Sequence, residues 1–233
     1  MSMKNRKSSP SPHADAAAFL AAVDADWACL VALVGPCGHE PRPTREPCEA
    51  LVRAVAYQQL HVKAGDAILA RLLALYPSSA FPSPAQLLDT AVDAMRACGF
   101  SARKVETIRG IATATRDGVV PDLASALALP DEELVTRLSA LKGIGRWTVE
   151  MFLIYSLGRP DILPADDFGV REGYRLLKSL EVAPPAKAMA VIGQAWSPHR
   201  TAAAWYLWRV PRPASVRARG RSGRAIAAEE KGT

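Results

Sequence analysis

A short glycine-rich turn at residues 141–148 limits the possible folds of this chain more than any other feature. Gly143 and Gly145 stand there, separated by one residue, directly before a segment with helical periodicity that starts near Arg146. Glycine permits a sharp turn and a close approach of the backbone to a partner. The helix would then direct its first N–H groups and the positive end of its dipole towards that partner. This arrangement favours a phosphate group.

A carboxylate pair follows the turn. Asp166 and Asp167 come directly after Pro164-Ala165, in a loop that leads into another helical segment near Phe168. The turn predicts a phosphate-binding site that does not depend on base sequence. The carboxylate that follows would act on the molecule bound through that phosphate. Together the two features predict chemistry on DNA.

The rest of the chain predicts an all-α protein of about ten helices. Alanine and leucine dominate and runs of β-branched residues are short, which favours helices over strands. Apolar periodicity predicts one helix from Asp15 to Val34, before Gly35-Pro36 ends it. We expect a helical domain over residues 13–210, with one lobe over about 45–165 and a second formed by 13–44 together with 166–210.

The two ends of the chain hold much of its positive charge. The formal net charge is +6, but the body between the ends is nearly neutral, so the overall charge is weak evidence for nucleic acid. Residues 1–12 are predicted to be a disordered basic tail and residues 211–233 a flexible Arg-rich tail. The second tail either adds sequence-independent affinity for phosphates or is a solvated end.

The sequence predicts neither a membrane segment nor a metal centre. No apolar run reaches the length of a membrane span, and no apolar signal-peptide core follows the polar first residues. We therefore expect a cytoplasmic, nucleoid-associated protein, or a nuclear one in a eukaryote. The cysteines lack C-x-x-C spacing, so we expect reduced thiols and no metal or cofactor; they are Cys29, Cys37, Cys48 and Cys98.

Three segments in order resemble the 3-methyladenine DNA glycosylase II family of the helix–hairpin–helix superfamily. They are Lys142–Thr148, Leu163–Asp167 and Arg200–Trp208. The resemblance covers about residues 45–210 and is to the compact members without an N-terminal β-domain. It implies a two-lobed helical fold with a DNA cleft between the lobes. It also implies an enzyme that flips an alkylated purine out of double-stranded DNA and starts base excision repair. We expect a monomer, since one flipped base needs one pocket.

The resemblance assigns catalysis to Asp167, and we expect Asp166 to cap the helix that follows. Cleavage of the base–sugar bond builds positive charge on the sugar, which a fixed anion in a dry pocket stabilises while it orients the attacking water. A base alkylated at N3 or N7 already carries a positive charge, so it leaves without a strong general acid. The alternative is that both aspartates only cap the helix that follows.

Trp147 stands where bifunctional members of the superfamily carry a lysine. That lysine forms a Schiff base with the sugar and cuts the strand, which tryptophan cannot do, so we expect no AP lyase activity. Trp147 and Trp208 are predicted to line the base pocket, where an indole face attracts a cationic ring; the alternative for both is core packing. Met151, one turn after Trp147, would make the pocket softer and its substrate range narrower.

Two further groups of residues are predicted to bind DNA. The amides of Gly143 and Gly145 would bind a phosphate, with the cations of Lys142 and Arg146 nearby. The break between helices at residues 57–61 resembles the segment that enters the minor groove. Within it we expect Gln59, or alternatively Leu60, to fill the gap left by the flipped nucleotide. His61 either contacts the groove or the backbone or is an ordinary surface residue.

Two other functions remain open from the sequence. A non-catalytic helix–hairpin–helix module that binds damaged DNA would keep Gly143 and Gly145 but would not need Asp167 or the tryptophans. A glycosylase for oxidised or mismatched bases is disfavoured by Trp147 at the lysine position and by the lack of a cysteine cluster.

Overall fold

The computed structural model describes residues 14–42 and 44–211. Within these ranges the protein is helical without strands: it has thirteen α-helices, ten of them of at least seven residues, and one 3₁₀ turn. This confirms the predicted all-α fold. The two predicted tails, residues 1–12 and 211–233, lie outside the described residues apart from Pro211 and stay predictions.

The helices, numbered in chain order, have the following bounds. They are α1 Ala14–Ala21, α2 Ala25–Val34, α3 Pro47–Tyr57, α4 Val62–Ala74, α5 Pro84–Asp89, α6 Val92–Ala97, α7 Ala102–Arg116, α8 Leu123–Ala128, α9 Asp131–Ser139, α10 Arg146–Tyr155, α11 Phe168–Leu177, α12 Ala186–Ile192 and α13 Arg200–Leu207, with the 3₁₀ turn at Gly193–Trp196. None of the helices in the described part of the chain is long and apolar enough to cross a membrane.

The chain forms two compact units. The described residues of the first unit are 14–39, 160–165 and 170–211, and those of the second are 40–42, 44–159 and 166–169. Residues 160–165, which the sequence analysis placed in the middle lobe, belong to the first unit. The reason is that Thr201 N donates to Pro160 O at 3.0 Å and Ile162 N donates to Thr201 Oγ1 at 3.0 Å.

Aromatic side chains form the centre of the first unit. Trp27 and Trp196 are fully buried and meet edge to face with 5.1 Å between ring centroids, and Tyr206 is buried in the same core. The predicted single helix from Asp15 to Val34 is wrong, because the chain breaks between α1 and α2. Asp24 accepts a hydrogen bond from Trp27 N at 3.0 Å and thereby caps a new helix.

The second unit is built around α7 and α10. Helix α7 packs against α3, α5 and α6, and α10 packs against α3 and α9. Ser83 and Ser101 cap α5 and α7, Ser83 through a reciprocal capping box with Gln86. Helix α10 begins at Arg146, so the turn predicted from the glycines is in place directly before it.

Candidate functional site

Trp147 and Asp167 meet in the second unit. The indole Nε1 of Trp147 donates a hydrogen bond to Oδ2 of Asp167 at 2.9 Å. Asp167 is only 6% exposed, although it lies in the loop directly before α11. A buried carboxyl group needs hydrogen-bond partners, and the indole N–H of Trp147 is one of them. The structure therefore brings together the predicted catalytic acid and the residue at the lysine position.

Besides Asp167, the second unit contains another buried carboxylic acid, Glu150 on α10. It was not among the residues predicted from the sequence. It is 6% exposed. Burial raises the pKa of Glu150 to about 7; Arg146 opposes this shift, whereas the charges of Glu132 and Asp167 add to it. The signal in the sequence was the spacing, since Glu150 stands four residues after Arg146 and therefore on the same face of the helix.

The two predicted DNA-binding cations of the turn form ion pairs within the protein. Arg146 Nη2 lies 2.7 Å from Glu132 Oε1, and Arg146 Nε lies 2.9 Å from Glu150 Oε1. Lys142 Nζ lies 2.6 Å from Glu106 Oε1. The side chains of both cations are more than half exposed, and their role in binding a phosphate stays a prediction.

The two glycines of the turn differ in what the fold requires of them. Gly143 has a φ of +87°, and a Cβ there would lie 2.2 Å from Thr107 Oγ1. Gly145, the N-cap of α10, has a φ of −91°, and a Cβ there would have no heavy atom within 4 Å. The fold therefore needs glycine at position 143. At position 145 a side chain would meet open space, so packing does not require glycine there.

The predicted break after Tyr57 is present as a turn between α3 and α4. Gln59 is exposed and has a φ of +58°, a conformation that residues other than glycine adopt uncommonly. Leu60 is half-buried, and exposed His61 stands at the N-cap of α4 without a capping bond from its side chain. Gln59 is thus exposed within this turn, and its entry into DNA stays a prediction.

Gln58 connects this turn to the glycine turn, a contact that the sequence analysis missed. Its Nε2 donates to Gly143 O at 3.2 Å and to Thr148 Oγ1 at 3.4 Å. The backbone expected to bind phosphate and the turn expected to enter the minor groove are therefore linked through a single side chain.

Comparison with known proteins identifies the family. A family model described as "HhH-GPD superfamily base excision DNA repair protein" matches residues 52–198, which is more than half of the chain. The chain belongs to the HhH-GPD superfamily. This confirms the family resemblance drawn from the three sequence segments.

Relatives within the HhH-GPD superfamily match most of the chain. DNA-3-methyladenine glycosylase 1 of Schizosaccharomyces pombe is 47% identical over 195 residues, which are 82% of this chain and 84% of the relative. The solved structure of 3-methyladenine DNA glycosylase from the same yeast, in complex with abasic DNA, matches with a TM-score of 0.76 and 46% identity. That match covers 84% of this chain and 95% of the solved chain. DNA-3-methyladenine glycosidase from Bacillus halodurans matches with a TM-score of 0.74 and 30% identity, over 93% and 96% of the two chains.

The remaining predicted site residues lie in both units of this HhH-GPD protein. Met151 is buried, one turn after Trp147 on α10. Trp208 belongs to the first unit, where it is half-buried against the aromatic core at the end of α13. Their role as walls of a base pocket stays a prediction.

The described ranges of this HhH-GPD protein hold no cluster suited to a metal ion. Within residues 14–42 and 44–211, no three His, Cys, Asp or Glu side chains come together in such a way. The four cysteines are free thiols, of which only Cys29 is exposed.

Proposed function

We propose that this protein is a monofunctional DNA glycosylase that excises alkylated purines of the 3-methyladenine and 7-methylguanine class from double-stranded DNA. It flips the damaged nucleotide out of the duplex and hydrolyses its N-glycosidic bond, which starts base excision repair. The observation that carries the proposal is the buried Asp167 bound by Trp147, in the same unit as the glycine turn. The relatives named 3-methyladenine DNA glycosylase support it.

Asp167 supplies the anion that the reaction needs. Departure of the base leaves an oxocarbenium-like sugar, and a negative charge fixed in a dry site stabilises it. The same carboxylate orients the water that attacks the sugar. An alkylated purine leaves as a neutral base, so the site requires no strong acid opposite Asp167.

Trp147 excludes the second reaction of bifunctional glycosylases. An indole offers no amine to form a Schiff base with the sugar, so water is the nucleophile and the strand remains uncut. The indole N–H of Trp147 donates a hydrogen bond to Asp167. The indole ring of Trp147 would attract a cationic purine by a cation–π interaction.

The glycine turn and the turn at Gln59 together bind the DNA in this proposal. The amides around Gly143 and Gly145 take a phosphate at the N-terminus of α10, with Lys142 and Arg146 as charge partners. Gln59 enters the minor groove with its neighbours Leu60 and His61 beside it. One site of this kind binds one flipped base, so we expect a monomer. We expect it to act in the nucleoid or the nucleus, where its DNA lies.

The proposal is tested with methylated duplex DNA and an Asp167→Asn variant. We expect the parent to release 3-methyladenine or 7-methylguanine, and the variant to do so at least about 100-fold more slowly. Asp166→Asn is the matched comparison and should retain excision. Release of neither base by the parent, together with tight binding of abasic DNA, would establish the non-catalytic module instead. Strand cleavage without added alkali would contradict the monofunctional mechanism.

A further inference from the structure

The carbonyl groups at the end of α3 bind a lysine from another helix. Lys104, in the first turn of α7, donates from Nζ to Ala56 O at 2.9 Å and to Gln58 O at 2.8 Å. The last carbonyls of a helix lack partners within it, and a cation there also matches the helix dipole. Burial lowers the pKa of Lys104, since the surrounding protein has displaced water from its ammonium group.

Gln58 is held at its side chain as well as at its backbone. Its carbonyl binds Lys104, while its Nε2 donates to Gly143 O at 3.2 Å and to Thr148 Oγ1 at 3.4 Å. The residue directly before Gln59 is therefore joined both to α7 and to the glycine turn.

Tyr57 fixes the other side of the same turn. Its hydroxyl donates to Asp66 Oδ1 at 2.6 Å on α4. Its ring packs directly on Gly65, where a Cβ would lie 2.2 Å from Tyr57 Cδ1. Exposed Gln59, with a φ of +58°, is the tip of this braced turn. A left-handed conformation at such a residue costs free energy and persists only where its surroundings impose it.

We propose that Lys104 and Gln58 are positioning residues that hold Gln59 in the conformation in which it enters DNA. Neither contacts the damaged base. Through Gln58, the phosphate-binding turn and the residue that fills the gap in the duplex form one rigid element, so binding of a phosphate places Gln59 at a fixed distance along the groove. The inference rests on the proposed function, because it assigns a role within base flipping and excision.

The test compares four variants by three measurements. Lys104→Met removes both carbonyl contacts, Lys104→Arg keeps a cationic donor, Gln58→Leu removes the link to the glycine turn, and Lys187→Met on α12 is the matched control at an exposed lysine. The measurements are single-turnover release of 7-methylguanine, fluorescence of 2-aminopurine next to the lesion as a signal of flipping, and affinity for undamaged duplex at several salt concentrations.

We expect Lys104→Met and Gln58→Leu to lower the excision rate about 10- to 100-fold and to reduce the flipping signal in parallel. Affinity for undamaged duplex and its salt dependence should stay at parental values. Lys104→Arg should restore most of the excision rate, and Lys187→Met should behave as the parent.

Three results would overturn the proposal. The first is parental flipping by both Lys104→Met and Gln58→Leu. The second is a weaker salt dependence of duplex affinity in Lys104→Met: the slope of log affinity against log salt concentration would be smaller than that of the parent by about one. This result would mean that Lys104 contacts a phosphate. The third applies if thermal unfolding shows that Lys104→Met does not fold. In that case Gln58→Leu alone tests the proposal, and a parental flipping signal from this variant would overturn it. Failure of the parent to release any base would count against the proposed function, whereas the flipping signal would still test the positioning role.

Discussion

The indole N–H of Trp147 lies 2.9 Å from Oδ2 of Asp167 and donates a hydrogen bond to it. The residue at the lysine position of bifunctional superfamily members thus does more than remove an amine, since it also fixes the orientation of the carboxylate. The interpretation of Trp147 as a pocket wall is thereby extended: its edge serves the acid, while its ring remains available to face a base.

Replacing Trp147 by phenylalanine separates these two roles. Trp147→Phe keeps an aromatic ring but removes the N–H, and a hydrogen bond to a charged group contributes about 1.5–3 kcal/mol. We therefore expect single-turnover excision to fall about 10- to 100-fold while affinity for abasic DNA is unchanged. Phe152→Leu, at a buried aromatic residue of α10, is the control for packing. Parental rates for Trp147→Phe would show that the bond does not orient Asp167.

The glycines of the turn provide a matched pair of alanine variants. Gly143→Ala introduces a Cβ 2.2 Å from Thr107 Oγ1 at a φ of +87°, so we expect a loss of about 1–3 kcal/mol in the free energy of unfolding. The Cβ of Gly145→Ala has no heavy atom within 4 Å, so this variant should have the same free energy of unfolding as the parent.

The same pair behaves differently towards DNA. Gly145 is the N-cap of α10, where a phosphate is proposed to bind, so the methyl group of Gly145→Ala should lower the affinity for duplex DNA although the fold is intact. Thermal unfolding and DNA titration of both variants check this. Full affinity in Gly145→Ala would mean that no phosphate approaches that position.

Glu150 should make the stability of the protein depend on pH. Its pKa is raised from 4.5 to about 7 on folding, so between these values the folded state binds a proton that the unfolded state lacks. The free energy of unfolding therefore falls as the pH rises through this window, by up to about 3 kcal/mol, and levels off above it. In Glu150→Gln this contribution disappears.

Chemical unfolding of the parent and Glu150→Gln at several pH values between 4.5 and 8 measures the effect. The variant should gain stability relative to the parent as the pH rises. A difference between the two proteins that stays constant with pH would show that Glu150 ionises normally in the folded state.

The ion pair between Lys142 and Glu106 is exposed and should affect DNA binding more than stability. Such pairs contribute about 0–1 kcal/mol to folding. Glu106→Gln removes a negative charge beside the phosphate-binding turn, so we expect unchanged thermal unfolding and severalfold tighter binding of undamaged duplex at low salt. Glu133→Gln on α9 serves as a control. Weaker binding in Glu106→Gln would indicate that the carboxylate orients Lys142 for DNA.

Local chemistry made part of this protein predictable. The glycine pair before α10 and the end of α3 at Tyr57 each depend on residues close in sequence, and both are present in the structure. The break between α1 and α2 shows the limit of such reasoning. The apolar periodicity continues across this break, but Asp24 caps a new helix there, so the segment forms two helices.

By itself the sequence determined the helical fold, the superfamily and the order of turn, tryptophan and acid along the chain. Only the tertiary structure decided which atoms meet: Trp147 with Asp167, Lys104 with the end of α3, and the side chain of Gln58 with Gly143. It also decided that Glu150 is buried among charges that raise its pKa. These contacts join residues distant in sequence, and burial and hydrogen bonding depend on the packing of whole helices. Spacing along one helix therefore identifies the candidates but not their partners.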